Sequence, residues 1–472
     1  MIEFELERGR GAAATLVEQL VRAFAQAIEG NSLRAGALLP SVRQLAQSHA
    51  LSTYTVTDAY NRLVSMGLVV ARRGSGYRVA PREAAPRASA GAAVWQPPAL
   101  TATWLLSDVF ADHSVPIKAG CGWMPAEWIN ETGLHHALRA TSRVPAVRLG
   151  DYGHPYGFAP LRERIAAQLD RQGLPVETGN VLLTQGATQG LDLIVRTLLR
   201  PGDAVLVEDP GYCNLLQILK LAGLTVHGVP RTPAGLDLDA LEQQVAAHRP
   251  KAIFVNTTLQ NPTGATYTMA NAFRLLQIAE RERMWVVEDD VSRELAPPGA
   301  PLLAAMEGLR RVLYVSGFSK TVTPSLRCGY VVAERDVLRE LARAKMAVGL
   351  TSSETIERIV DKVLVEGRYT RHVEIVNEQL KAAHAAFEDR IDSLGLEPFC
   401  RPRAGLFMLV RLPVEAARAG EIATAALRDG IWLAPGSYFR PDDAASAWFR
   451  FNAPYSLDDA LWRFIERIGK RI

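Results

Sequence analysis

Cysteine is scarce in this sequence, and its four copies, Cys121, Cys213, Cys328 and Cys400, are scattered with no CxxC pair. That argues against a disulfide framework and a zinc site, so no metal is expected and a reducing cytoplasm fits. No uninterrupted apolar run is long enough to span a bilayer, so no membrane partner is expected. The N-terminal residues are acidic and polar, without the apolar stretch of a signal peptide. Lysine is absent from residues 1–82, where ten arginines face six acidic residues, while the remainder balances 43 basic against 44 acidic side chains. A small basic module on a neutral body is the charge footprint of a nucleic-acid binder, although a weak one. Internal repeats are missing too.

What is present is a chain of 472 residues, 48% hydrophobic and 22% charged, in the range of soluble globular proteins and too long for one core. Leu16, Leu20, Phe24, Ala27 and Ile28 recur at helical spacing. Ser41 and Ser52 are placed to cap a short second helix and a third helix through about Met66. Leu68–Val70 and Tyr77–Val79 flank a Gly-containing turn, the pattern of a hairpin wing. Residues 11–80 are therefore expected to form a winged helix-turn-helix. Residues 81–103, rich in Ala and Pro, read as a linker. In residues 104–472 helical patterns alternate with short β-rich runs, at Val181–Thr184, Ala204–Val207, Ala252–Asn256, Trp285–Glu288, Val312–Val315 and Gly329–Val332. That alternation predicts an α/β domain with a mostly parallel sheet, followed by a helical stretch and a small α+β lobe from about Phe399.

A DNA reader needs a short helix for the major groove and groups that fix it on phosphates. The third helix offers Thr55 and Arg62, while Arg43, Arg72 and Arg73 can meet phosphates and the wing glycines permit close approach. Three helices and a hairpin also build protein-interaction modules. The run from Leu33 to Val79 resembles the winged helix of GntR-type regulators. That resemblance implies recognition of double-stranded operator DNA as a dimer, with Arg43, Ser52, Thr55 and Gly76 near the duplex. Thr53 stands where the family often has a basic residue.

The second constellation follows the strands, where ligands of such sheets bind. Lys320, in SGFSK, can form a Schiff base. Asp289 can hold a pyridine nitrogen protonated, and Arg327 offers a planar fork to a phosphate. Ala187 and Thr188 open a helix whose free N–H groups favour an anion. Tyr212 can stack on a ring, and Asn261 can donate to a ring hydroxyl. Each has an ordinary alternative: surface lysine, strand-end cap, salt bridge, turn, structural aromatic or loop residue. In chain order, GATQ, EDPGY, QNPTG, EDD, SGFSK and LRCGY resemble the fold-type I aminotransferases over residues 115–465. By that resemblance the cofactor is pyridoxal 5'-phosphate, held by Lys320 as an internal aldimine. Tyr152 would reach the phosphate of the neighbouring subunit, and Arg450 would bind an amino acid's carboxylate. The whole chain resembles the MocR subfamily of GntR-type regulators, which implies a cytoplasmic homodimer whose DNA affinity responds to the cofactor, an amine or an amino acid.

Two departures favour sensing over turnover. A tyrosine that donates to the ring oxygen is replaced by Val291 or Ser292. Gly317 stands where a phosphate-binding hydroxyl is usual, with Ser319 or Ser316 as candidate substitutes. The alternatives are a working aminotransferase with an accessory DNA-binding module, and a body that only dimerises.

Overall fold

The structure, a computed structural model, describes residues 15–30, 32–72, 76–80, 115–145, 150–365 and 368–469. The expected linker and Arg73 lie outside these residues, and Arg72 is described by its backbone alone. The chain divides into two compact units, Met1–Gln96 and Pro97–Ile472. Among the described residues no helix is long and apolar enough to cross a membrane.

The first unit has helices Leu16–Glu29, Val42–Ser48 and Thr53–Ser65, then strands β1 (Val69–Arg72) and β2 (Gly76–Val79), paired antiparallel. Each helix starts where a hydroxyl accepts an otherwise orphaned N–H: Thr15 from Glu18, Ser41 from Gln44 and Ser52 from Thr55. The apolar stripes converge on a core of Leu20, Phe24, Leu45, Val56, Tyr60, Leu63 and Val79. Tyr60 packs edge-on to Phe24 at 5.6 Å, and its hydroxyl donates to Pro40 O (2.9 Å), fixing the third helix against the entry to the second. This is the expected winged helix.

The second unit is built on an eight-stranded sheet: β3 (Val181–Thr184), β4 (Ala204–Asp209), β5 (Thr225–Thr232), β6 (Gly235–Leu236), β7 (Ala252–Val255), β8 (Trp285–Asp289), β9 (Val312–Gly317) and β10 (Gly329–Val332). The order is β3-β10-β9-β8-β7-β4-β5-β6. The five central strands from β9 to β5 are parallel, while β10 runs antiparallel to both its neighbours and β6 antiparallel to β5. Runs such as AIFV in β7 and VLLT in β3 are buried along their whole length because helices cover both faces. All six expected strands form. β5 and β6 were not expected: the sequence TVHGVPRT in β5 interrupts its apolar residues with His, Gly, Pro and Arg, and sheet pairing at the edge overrides that pattern. Helices Arg335–Gly349, Glu354–Val365 and Arg368–Ser393 lead to the smaller lobe. That lobe is an antiparallel sheet of β11 (Glu397–Pro398), β12 (Phe407–Arg411), β13 (Ala434–Pro435) and β14 (Trp448–Asn452), in the order β11-β12-β14-β13.

A buried ion pair ties the ends of the parallel strands together. Arg231 of β5 donates to Glu208 of β4, both almost wholly inaccessible. Glu208 also accepts from the Tyr267 hydroxyl (2.9 Å), Asn256 N (3.1 Å) and Gln260 Nε2 (3.1 Å), and Gln260 Nε2 also donates to Pro210 O (2.8 Å). Removing one member of a buried pair leaves the other charge uncompensated, at a cost of about 3–5 kcal/mol. Arg231→Met is therefore expected to lower the urea midpoint of the full-length protein by the equivalent of that amount. An unchanged midpoint would show that Glu208 does not depend on Arg231.

Candidate functional site

Several chain segments meet at the carboxyl ends of the central strands. Lys320 follows β9. Its Nζ donates to Gly122 O and lies 5.5 Å from the centre of the Phe407 ring. Burial, with Arg450 and Arg327 beside it, lowers the Lys320 pKa to about 8 against the opposing pull of Cys121 and Asp289. Asp289 ends β8. Burial raises its pKa to about 7, helped by the neighbouring Asp290 and opposed by the Val291 N–H and Lys320. Its Oδ1 is buried with no hydrogen-bond partner among the described residues. Its backbone is fixed by Asn256 Nδ2, which donates to Asp289 O (2.6 Å). A buried carboxylate oxygen with no donor suits a protonated ring nitrogen.

The helix Gly186–Leu198 begins without a side-chain cap, so the N–H groups of its first turn, including Ala187 and Thr188, are open to an anion. Arg327, in left-handed backbone at φ +46°, lies against that turn: a Cβ on Gly186 would come 2.5 Å from its Nη2. A Cβ on Gly329 would come 2.5 Å from Ala187 N, so both glycines are required to keep this space open. At Gly317 a Cβ would sit 3.7 Å from Ala187 N and 3.1 Å from Cys328 O, so a side chain here would stand beside the same turn. Ser316 is not free to substitute, because its buried Oγ donates to Asp290 O (2.9 Å). Ser319 faces a different cavity, which it lines with Trp123 and Tyr455.

Tyr212, Asn256 and Asp289 line one narrow space. The Tyr212 hydroxyl accepts from Asn214 Nδ2 (3.1 Å) and interacts with Thr188, while burial raises its pKa to about 12. Asn261 is oriented twice: its N–H donates to Asn256 Oδ1 (2.8 Å), and its Oδ1 accepts from Arg450 Nη1 (2.8 Å). Arg450, only 6% exposed, also donates through Nη2 to Gly120 O (2.6 Å). Its guanidinium carbon lies 4.7 Å from the Phe407 ring centre and 4.8 Å from that of Phe439, and among the described residues no carboxylate pairs with it. Tyr152 belongs to no such cluster; it stands 81% exposed. Beyond Asp289 the chain offers half-buried Val291 and buried Ser292, and no phenol.

In the winged helix, Arg43, Ser52 and Arg62 are exposed and Thr55 is half-buried. The Ser52 hydroxyl is occupied in part by the cap, bonding Thr55 N (2.9 Å) and the Thr55 hydroxyl (2.8 Å). Arg62 pairs with Asp58 at 3.3 Å on an exposed helix face, a contact worth well under about 1 kcal/mol and easily exchanged. Gly76 has φ +77°, the conformation the wing turn needs. Sequence reasoning overlooked Tyr54, 81% exposed on the first turn of the third helix. It also missed Asn256, Gly120, Gly122, Phe407 and Phe439, whose partners lie tens to hundreds of residues away.

A parallel sheet carrying a lysine, an acid and an anion turn at its strand ends defines an aminotransferase-type body. The family model for aminotransferase class I and II matches residues 130–468, and that for bacterial regulatory proteins of the gntR family matches residues 16–79. The chain belongs to the aminotransferase class I and II family and carries a gntR-family helix-turn-helix at its N-terminal side. It is 28% identical to the uncharacterized HTH-type transcriptional regulator YdcR of Escherichia coli over 462 residues, 96% of this chain and 98% of that one. It is also 28% identical to the probable rhizopine catabolism regulatory protein MocR of Rhizobium meliloti, covering 77% of this chain and 74% of that one. The structure of LysN, an alpha-aminoadipate aminotransferase from Thermus thermophilus complexed with N-(5'-phosphopyridoxyl)-L-leucine, superposes with a TM-score of 0.68 at 27% identity, over 76% of this chain and 92% of that one. The fold implies pyridoxal 5'-phosphate as cofactor, and the helix-turn-helix implies DNA binding.

Only the neutral amine of Lys320 is nucleophilic, and its pKa is near 8. The rate at which the cofactor-free protein takes up pyridoxal 5'-phosphate is therefore expected to rise about tenfold per pH unit below pH 8 and to level off above it. Stopped-flow absorbance measures this; a rate that still climbs steadily to pH 10 would refute the lowered value.

Proposed function

We propose that the protein is a DNA-binding transcriptional regulator whose aminotransferase-like unit binds pyridoxal 5'-phosphate and senses the cofactor itself, an amine or an amino acid. The observation that carries this reading is a cofactor-shaped set of unmet needs on a chain with a winged helix. These are the unpartnered Asp289 oxygen, the open helix turn at Ala187 and Thr188 beneath Arg327, and a lysine with a pKa near 8.

In this reading Lys320 attaches the cofactor, Asp289 receives the ring nitrogen and Tyr212 covers the ring. Asn261 meets the ring oxygen, and Arg327, Ala187 and Thr188 hold the phosphate. When bound, the cofactor supplies an electrophilic carbon and an electron-withdrawing ring. Arg450 then orients an incoming carboxylate, and the rings of Phe407 and Phe439 keep water from its guanidinium. The exposure of Tyr152 supports a role at the phosphate of a neighbouring copy in a homodimer. Ser319 remains a weaker candidate for the cofactor, given the cavity it faces. Arg43, Arg72, Arg73 and Gly76 would meet operator phosphates, and Thr55 and Arg62 the groove. We place the functional boundaries at residues 11–80 for the DNA reader, 81–103 for the linker and 104–472 for the sensor.

A working aminotransferase is the second reading, favoured by the intact Asn261–Arg450 contact. Glycine at 317 and the missing phenol after Asp289 support the sensor instead, since both remove donors to the cofactor. Sustained conversion of an amino acid to its keto acid over many turnovers would favour the enzyme.

The test uses duplexes selected by the full-length protein from a random pool, with affinity read by fluorescence anisotropy. Loading with pyridoxal 5'-phosphate, or adding amino acids or amines to the loaded protein, is expected to change the dissociation constant several-fold in wild type and to leave Lys320→Ala unmoved. A constant indifferent to both additions in wild type would sink the regulator reading. Arg43→Ala is expected to weaken binding evenly across sequences and to reduce the slope of log K against log salt by about 1. A sequence-selective loss would assign Arg43 to the bases instead.

A further inference from the structure

We propose that the effector is an amino acid whose side chain ends in a carboxylate, and that Lys118 receives that group. This rests on the reading above, in which the cofactor attached to Lys320 takes the effector's amino group and Arg450 takes its carboxylate. The segment from Lys118 to Met124 runs along that site. Gly120 O accepts from Arg450, and Gly122 O accepts from Lys320. Beside it lies a cavity of about 220 Å³ lined by Lys118, Trp123, Met124, Ile129, Ser319, Val322 and Tyr455, among others. Trp123 directly follows Gly122 and Ser319 directly precedes Lys320, so two walls of the cavity are chain neighbours of the contact between Lys320 and Gly122. It is smaller than the roughly 300–1,000 Å³ of drug-sized pockets, the right scale for one side chain.

Charge selects the class of side chain. Lys118 is half-buried, is the only cation lining the cavity, and makes no ion pair or side-chain hydrogen bond among the described residues. The nearby acid Glu127, in the short helix Ala126–Trp128, is exposed and forms no salt bridge with it. Burial lifts the Cys121 thiol to about 11 against its hydrogen bond to the Trp123 backbone and the pull of Arg450, Lys320 and Lys118. A cationic side chain entering here would meet the Lys118 ammonium, and a neutral one would leave Lys118 partly desolvated and unpaired. A carboxylate on a short methylene chain satisfies both demands: the apolar walls of Trp123, Met124, Ile129 and Val322 take the methylenes, and the ammonium takes the charge.

The full-length protein loaded with pyridoxal 5'-phosphate is titrated with matched pairs, L-glutamate against L-glutamine and L-2-aminoadipate against L-norleucine. Binding is read from the change in the visible absorption of the cofactor. At least one anionic member is expected to bind about tenfold or more tightly than its neutral partner, as a charge pair in a partly desolvated site allows. That advantage is expected to collapse in Lys118→Gln and to survive in Lys118→Arg, while the cofactor band of both variants reports an intact site. Equal or reversed affinities in wild type, or an advantage that Lys118→Gln retains, would overturn the proposal while leaving the cofactor reading standing. If the wild type shows no band that depends on Lys320, the cofactor reading fails and this inference falls with it.

Discussion

The Glu208 carboxylate is the constraint from which the rest of the site follows. It sits 3% exposed at the end of β4, and two of its four donors, Asn256 and Gln260, belong to the segment that carries Asn261. Through Gln260 it binds the carbonyl of Pro210, two residues before Tyr212. Through the N–H of Asn256 it fixes the residue that in turn orients Asn261 and the backbone of Asp289. Arg231 balances its charge from β5. Buried ion pairs add little net stability compared with apolar packing. What this one contributes is register between loops that are distant in sequence.

On that frame two titratable groups are held away from their usual charge states. Lys320 is pushed toward neutrality and Asp289 toward protonation, and burial is the largest cause of both shifts. Among the described residues neither group forms an ion pair, although each lies close enough to feel the other. A ligand that brings a protonated nitrogen to Asp289 and a dianion to Arg327 and the helix Gly186–Leu198 meets the outstanding demands of the pocket. The free protein therefore carries an electrostatic cost that binding relieves, a suitable property for a sensor as well as for a catalyst.

The two departures from enzyme-like composition bear on that distinction. Gly317 pairs with Gly329 across β9 and β10 at the edge of the anion turn, where no side chain can add a donor. Beyond Asp289 the short Val291 and Ser292 replace a long donor. The body keeps the groups that would bind a cofactor and lacks a phenol for the ring oxygen and a hydroxyl for the phosphate, and it is joined to a gntR-family helix-turn-helix.

Much of this was legible in the amino-acid sequence. The winged helix follows from local signals: helical spacing, Ser41 and Ser52 as caps, and a glycine turn, all settled within a few residues of each other. The buried parallel strands announced themselves as apolar runs, and Lys320, Asp289 and Arg327 stood where strands end. β5 and the edge strand β6 were not legible, because their pairing and not their composition makes them strands. Ser316 and Ser319 looked equally able to replace a hydroxyl at Gly317; only the direction of each side chain told them apart, Ser316 toward Asp290 and Ser319 into another cavity. The partners of Glu208, the carbonyls of Gly120 and Gly122, the stacking of Arg450 and the unpaired state of Lys118 depend on contacts across as many as 330 residues. The sequence determined which chemistry the chain carries, since residue type and local spacing are written in it; only tertiary structure decided which groups are paired and which are left wanting a partner, since burial and long-range hydrogen bonds exist only once the chain has closed on itself.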